Sequence, residues 1–377
     1  YQYINIGGTY PFGNSNNPLK VPNASLGAMP AVDRTWETIE TYNAGIDFAT
    51  LNNRLSGTFD YFIKDNKNMF YAEEFPTILG TSAPSINGAH VRTNGWELTL
   101  NWKDKIGKVG YRIGLNLSDN KTKVISLSDS RNPGHGLMGF VEGYPTNSFF
   151  IYEFDGFIKD EADLADYKTK MKGGVPTNLR VGDAKYVDKD GDGVLEPTLY
   201  KEGDLNSGDI VYKGTNNQRY LYGINLGLDW KGIDVSAFLQ GVGKWDCING
   251  TYAGGGEVWK QSSQYFYHNT WSPDRPNAEY PRLTQDGGIH GYNYQWSDAP
   301  YKFFNNRYLR LKEVQIGYTF PTTLTKKIGV EKLRVYATGM NLLEWDNLPN
   351  GFDPEAPYTE NLIPFSRTYS IGVNVQF

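Results

Sequence analysis

The chain has 377 residues, 37 basic and 42 acidic side chains for a net charge of −5, and 15% aromatic residues, including 27 Tyr and 9 Trp. No stretch approaches the ~20 consecutive apolar residues of a membrane helix, the charge is too small and too mixed for a nucleic-acid binder, and a single cysteine, Cys247, excludes a disulfide framework or a CxxC metal site. These bounds still admit a barrel, whose strands hide apolar residues one in two while its loops stay polar.

Tyr1 follows no initiator Met, basic stretch or apolar leader, which predicts that the chain begins inside a longer protein. Tyr1 to Tyr10 is a first strand candidate. Tyr42, Ala44, Ile46 and Phe48 then alternate with Asn43, Gly45 and Asp47, and Leu55, Gly57, Phe59, Tyr61 and Ile63 with Ser56, Thr58, Asp60 and Phe62. The same period of two marks Trp96 to Trp102, Tyr111 to Leu117, Tyr220 to Trp230, Ile233 to Leu239, Val314 to Phe320, Leu333 to Met340 and Tyr369 to Phe377. An apolar face every second residue, in segments of about the length needed to cross a tilted hydrocarbon layer, predicts strands with lipid on one side and water on the other. The expected fold class is all-β, a transmembrane antiparallel β-barrel with nine crossings after Thr41 and Tyr1 to Tyr10 as a possible tenth.

Connections alternate between short and long. Thr50 to Asn53, Lys103 to Val109, Lys231-Gly232 and Pro321 to Glu331 are short; Asp65 to His90, Asp119 to Arg219, Gly243 to Phe303 and Leu342 to Ser366 are long. In outer-membrane barrels short turns face the periplasm and long loops the exterior, so Phe377 is expected on the periplasmic side. Parity also places residues 119–219 outside as a folded loop, because counting Phe149 to Phe154 as a crossing would invert the Lys231-Gly232 turn. Within that loop Glu161 to Lys172 reads as a short helix stopped by Gly173-Gly174. Terminal Phe377 has the form of the aromatic that assembly machinery reads on barrel proteins.

Asp188-Lys-Asp190-Gly-Asp192-Gly193-Val194 is the sharpest chemical motif. Carboxylates at alternate positions converge on a hard cation where the loop turns, and the Val194 carbonyl adds an oxygen, which predicts structural Ca2+. The twelfth position is Leu199 rather than Glu, leaving Glu196, Glu202 or Asp204 as further ligands. Catalytic constellations are missing: the histidines form no HExxH pair, no serine sits in a GxSxG elbow, and Gly243-Lys244 lacks P-loop spacing. The chain therefore reads as a non-enzyme. In the aromatic-rich loop after Gly243, Tyr252, Trp259 and Tyr267 are candidate substrate contacts, since flat rings stack on sugars and pack on peptide side chains.

Several segments carry a family resemblance: Trp36-Glu-Thr with Tyr42-Asn-Ala-Gly-Ile-Asp47, Asn53 to Tyr61, Thr93-Asn-Gly-Trp-Glu97, Gly182 to Gly193, Tyr308 to Pro321, Val335 to Leu342, and Gly351-Phe-Asp-Pro354. Together they resemble the SusC/RagA family of TonB-dependent outer-membrane transporters, across nearly the whole chain. That resemblance implies a barrel of about 22 strands, of which this chain is roughly the last ten. It further implies an N-terminal plug and TonB box that find no match here, energisation by TonB-ExbB-ExbD through that region, and a SusD-like surface lipoprotein over the mouth. The implied activity is import of an oligosaccharide or oligopeptide. The stretch from Glu196 to Asp209 is longer than the family's usual acidic stretch, which leaves the later metal ligands open. A secreted or surface β-rich carbohydrate-binding protein or adhesin without transport is the alternative.

Overall fold

The structure, a computed structural model, describes residues 4–12, 19–26, 34–72, 84–128, 133–204, 207–248, 268–348, 353–356 and 366–377. In chain order the elements begin with strands β1 (Ile4–Phe12), β2 (Leu19–Leu26), β3 (Thr38–Thr50), β4 (Leu55–Ala72), β5 (Ser85–Ile106) and β6 (Val109–Leu127). There follow β7 (Gly136–Met138), β8 (Ser148–Tyr152), β9 (Phe154–Phe157), helix α1 (Glu161–Lys170), β10 (Ala184–Tyr186) and β11 (Ile210–Thr215). Next come β12 (Arg219–Trp230), β13 (Ile233–Lys244), β14 (Asp246–Ile248), α2 (Gly287–Asn293) and β15 (Phe303–Asn305). The chain closes with β16 (Tyr308–Thr319), α3 (Thr322–Thr325) running into a 3-10 turn (Lys326–Ile328), β17 (Lys332–Asp346) and β18 (Thr368–Gln376).

Nine of these strands form one antiparallel sheet in the order β3-β4-β5-β6-β12-β13-β16-β17-β18, and they are the nine segments whose alternation marks them in the sequence. β6 pairs directly with β12 across the intervening excursion, with Leu115 opposite Ile224. The possible tenth strand is not in the sheet: the described part of Tyr1 to Tyr10 lies in β1, which pairs with β2 alone. Gly7-Gly8 produces a register shift between Ile6 and Thr9, and such a bulge interrupts the strict period that a long wall strand needs.

Register aligns one apolar face across all nine strands. Ile46 lies opposite Phe59, Phe59 opposite Leu98 and Leu98 opposite Leu117. Further along, Val235 lies opposite Ile316, Ile316 opposite Ala337 and Ala337 opposite Ile371. The other face carries Asp60, Glu97, Thr99, Asn116, Ser236, Gln315 and Thr338 in equivalent pairs. A one-residue slip would exchange the two faces in any strand, so the two environments fix the register. Gly57 fits the apolar side closely: a Cβ there would stand 2.6 Å from the Thr99 carbonyl and 2.8 Å from the Phe48 ring.

The short turns use the backbone geometry their residues allow. Lys231 and Gly232 have φ of 47° and 89°, as a two-residue type I′ hairpin requires. At the opposite end β4, β5 and β6 run to 18, 22 and 19 residues, well beyond the ~9–11 that span a bilayer. The excursions expected from Asp65 and Asp119 therefore start later, at the ends of β4 and β6. Past the apolar band no alternation is needed, and the ladder continues with polar clusters such as buried Asp65, which accepts bonds from Arg92 at 2.8 and 2.9 Å and is 2.8 Å from His90.

Candidate functional site

The excursion between β6 and β12 and the one between β13 and β16 build a single body. β8, with all five residues buried, is the middle strand between β7 and β11. The Phe149 to Phe154 stretch is thus outside the main sheet, divided between the core strand β8 and the start of β9. Phe150, Tyr152, Ile158, Leu164, Tyr186 and Ile210 share a core with Ile289 and Tyr292 of α2. α1 is capped by Asp160, whose side chain accepts the Asp163 N–H at 2.8 Å, and ends at Lys170, two residues before the expected stop. Met171 is extended there, and Gly174 follows at φ +73°, where a Cβ would strike the Leu195 backbone.

The segment Asp183 to Tyr186 joins the two excursions. Fully buried Asp183 accepts from the Asn293 amide at 2.9 Å, the Arg282 guanidinium at 2.9 Å and the Arg180 N–H at 2.7 Å. Asn293 returns its carbonyl oxygen to the Ala184 N–H at 2.9 Å, and the Tyr186 hydroxyl donates to the Tyr292 carbonyl at 2.8 Å. Lys185 pairs with Asp163 of α1 at 2.7 Å. The buried side chains of Asp183, Lys185, Tyr186 and Asn293 thus each have a partner from another segment, which is what such burial demands.

This segment leads directly into the acidic turn. The Asp188 carboxylate accepts from the Gly191 and Gly193 N–H groups, both at 2.8 Å. Ligand oxygens of Asp188, Asp190 and Asp209 lie within 4.8 Å of one another. Asp192 is outside that group: its side chain accepts the Val194 N–H at 2.6 Å and its carbonyl accepts from Lys172 at 3.0 Å. Glu196, Glu202 and Asp204 do not join it either among the described residues. Asp209 is fully buried, accepting from the Lys189 and Glu196 N–H groups at 2.5 and 2.7 Å. Burial, reinforced by the Asp190 and Asp188 charges, pushes its carboxyl above the usual range. Its 21-residue distance from Asp188 hides it from any local motif; only its return beside the turn on the approach to β11 reveals it.

The remaining candidates are placed as follows. Tyr252, Trp259 and Tyr267 lie outside the described residues. Of the other tryptophans in that excursion, Trp245 donates to Asn216 at 2.9 Å, and Trp271 and Trp296 pack over Gly182 and Gly136. His135 meets Tyr152 and His290 meets Tyr294 as tilted ring pairs, at 5.0 and 4.8 Å between ring centres. Phe377 follows β18 and is 88% exposed. Across β5, β6, β12 and β13 the sheet carries a cleft of about 520 Å³ lined by polar Glu97, Thr99, Asn116, Ser118, Gln218 and Gln240 and by apolar Leu98, Leu117, Leu221 and Tyr222, a mixed surface.

No protein-family model matches the chain. TonB-dependent receptor P3 of Formosa agariphila is 27% identical over 369 residues, covering 91% of this chain and 34% of that protein. TonB-dependent receptor SusC of Bacteroides thetaiotaomicron is 24% identical over 395 residues, covering 98% and 34%. The RagAB peptide importer in its open-open state superposes with a TM-score of 0.71 at 22% identity, over all of this chain and 38% of that one. The chain spans little more than a third of the length of the curated relatives it matches. Its homologues are receptors and transporters, not enzymes, and they are outer-membrane β-barrel proteins. The nine-stranded sheet is accordingly a stretch of barrel wall in the outer membrane, its apolar face toward lipid.

Proposed function

On this homology to TonB-dependent receptors we propose that the protein containing this chain imports an oligosaccharide or oligopeptide across the bacterial outer membrane, the chain supplying the C-terminal part of the barrel. The observation that carries the reading is the wall itself: a register-locked sheet with a polar inner face, joined to one external body made from two excursions. A polar wall of amides and hydroxyls suits hydrated oligomers that must bind and then leave. TonB-ExbB-ExbD would energise import through a plug outside this chain, and a SusD-like lipoprotein would cover the mouth. Deletion of the gene, with and without TonB, should abolish uptake of labelled oligomers in one of two arms, a glycan mixture or a peptide mixture. Unchanged uptake in both arms would sink the proposal.

The acidic turn is proposed as a structural Ca2+ site held by Asp188, Asp190 and Asp209. The donor set is all oxygen, as calcium prefers, and a cation would relieve the repulsion that Asp209 meets in burial. Its role would be to brace the turn that follows the Asp183 to Tyr186 joint. Phe377 is proposed as the assembly signal.

A further inference from the structure

A lipid-facing groove of about 610 Å³ runs along β16 and β17, lined by Ile316, Tyr318, Phe320, Val335, Ala337 and Ile371. Its floor is low because Ala337 lies between Ile316 and Ile371 in the cross-strand row. At the periplasmic end of the groove the same two strands are joined by the turn 320–331, which holds α3 and its 3-10 extension. Leu324 and Ile328, four apart on that helical turn, are 54% and 70% exposed, whereas Thr325 and Val330 are buried beneath them. Lys326 and Lys327 are exposed and make no ion pair among the described residues. Glu331 is the one carboxylate in the turn.

An aqueous turn has no reason to expose two large aliphatic side chains, and a purely apolar one would not pair them with lysines. Apolar residues beside lysines at a bilayer boundary describe an interfacial segment. Aromatic residues cluster at the same level: Trp102 donates to the Tyr111 hydroxyl at 3.1 Å, Tyr318 and Phe320 meet edge-on at 5.0 Å, and Lys231 lies over Trp230 at 5.2 Å. Such rings settle at the headgroup boundary.

We propose that this turn and groove form a binding site for an anionic phospholipid of the periplasmic leaflet. One acyl chain lies along Ile316, Val335 and Ala337. Leu324 and Ile328 enter the leaflet beside it, and Lys326 and Lys327 meet the phosphate. The occupant is a lipid because the groove continues the lipid-facing surface of the wall, and anionic because the turn is basic. Lys105, Lys108 and Lys231 in the neighbouring turns lie beside Asp229 and Asp234, but those two acids pair with Arg112 and Arg334, so the lysine charge continues along the rim.

The test uses the full-length protein in nanodiscs, with folding verified by heat-modifiable migration. Spin labels at Leu324→Cys and Ile328→Cys, in a background with Cys247→Ser and any other cysteine replaced, should be more accessible to oxygen than to a water-soluble nickel chelate. Native mass spectrometry should show that Lys326→Glu/Lys327→Glu retains less phosphatidylglycerol and cardiolipin than the unsubstituted protein, by about five-fold for each lysine. Retention of phosphatidylethanolamine should not change. If the charge reversal fails to fold, Lys326→Gln/Lys327→Gln carries the same comparison with a smaller effect. Labels more accessible to nickel, or anionic-lipid retention equal to that of the unsubstituted protein, would overturn the proposal. Uptake plays no part in these readouts, so the result is independent of the import reading.

Discussion

Asp209 shows how a single buried carboxylate can decide a site. Its folded-state pKa lies above its ordinary value because burial and the neighbouring acids oppose its charge. The folded state therefore binds protons more readily than the unfolded chain, and the strain is present at neutral pH and relieved as pH falls toward the ordinary aspartate range. Bound calcium should remove that strain. Calcium is expected to raise hydrogen-exchange protection across residues 188–195 at pH 7 and to lose this effect on acidification. Asp209→Asn should weaken calcium binding more than Asp192→Asn; equal effects would refute the three-residue assignment. Lys302 behaves oppositely. Burial lowers its ammonium from 10.5 to about 8, so between those values the unfolded chain holds the extra proton and stability rises with pH. Protection factors at residues 290–303, corrected for the intrinsic rise of amide exchange with pH, should increase from pH 8 to pH 10, and Lys302→Met should flatten that dependence. At this scale the sequence revealed Asp188 and Asp190 through spacing, but Asp209 and Lys302 draw their properties from burial by residues far along the chain.

Elements were legible to the extent that two solvents press on them. The nine wall strands alternate because lipid and water act on opposite faces, and that period survives in the amino-acid order. β8 sits inside a protein core and is apolar on both faces, so only the parity of short and long connections kept it out of the wall. The excursions offered no such rule; their joint at Asp183 depends on contacts with α2. Two substitutions test elements of each kind. Gly57→Val would press on the Thr99 carbonyl and the Phe48 ring, and should cost about 1–3 kcal/mol, read as a lower midpoint of barrel unfolding. Arg310, 1% exposed, reaches Glu344 at 2.7 Å, Asp353 at 2.9 Å and Glu355 at 2.7 Å. It thereby ties Asp353 of the Gly351-Phe-Asp-Pro354 segment, with the Glu355 that follows, to β16. Arg310→Met strands those acids and should cost about 3 kcal/mol, the low end for a broken buried pair because Glu344 keeps contact with water. Faster exchange at residues 353–356 would report it.

For the whole molecule, sidedness follows from one alternation of turns and excursions. In intact cells protease should cut within residues 136–216 and leave the Lys231-Gly232 and 320–331 turns untouched; cleavage at those turns would invert the topology. The resemblance carried by short segments extended across the chain, and the structure gives several of them a physical reason: Gly57 and Gly95 accept neighbouring side chains, Asp183 joins two excursions, and Arg310 anchors a third. The joint also imposes an order of events. Asp183 and Asn293 meet across 110 residues, and loop closure of that span precedes any reward from the contact. During export Asp183 and Tyr186 of the first excursion must wait, without their Asn293 and Tyr292 partners, until α2 has arrived. Maturation of the external body is therefore slow and vulnerable in the periplasm, and holding chaperones there should recognise the segment from β8 to β10 before they recognise any wall strand.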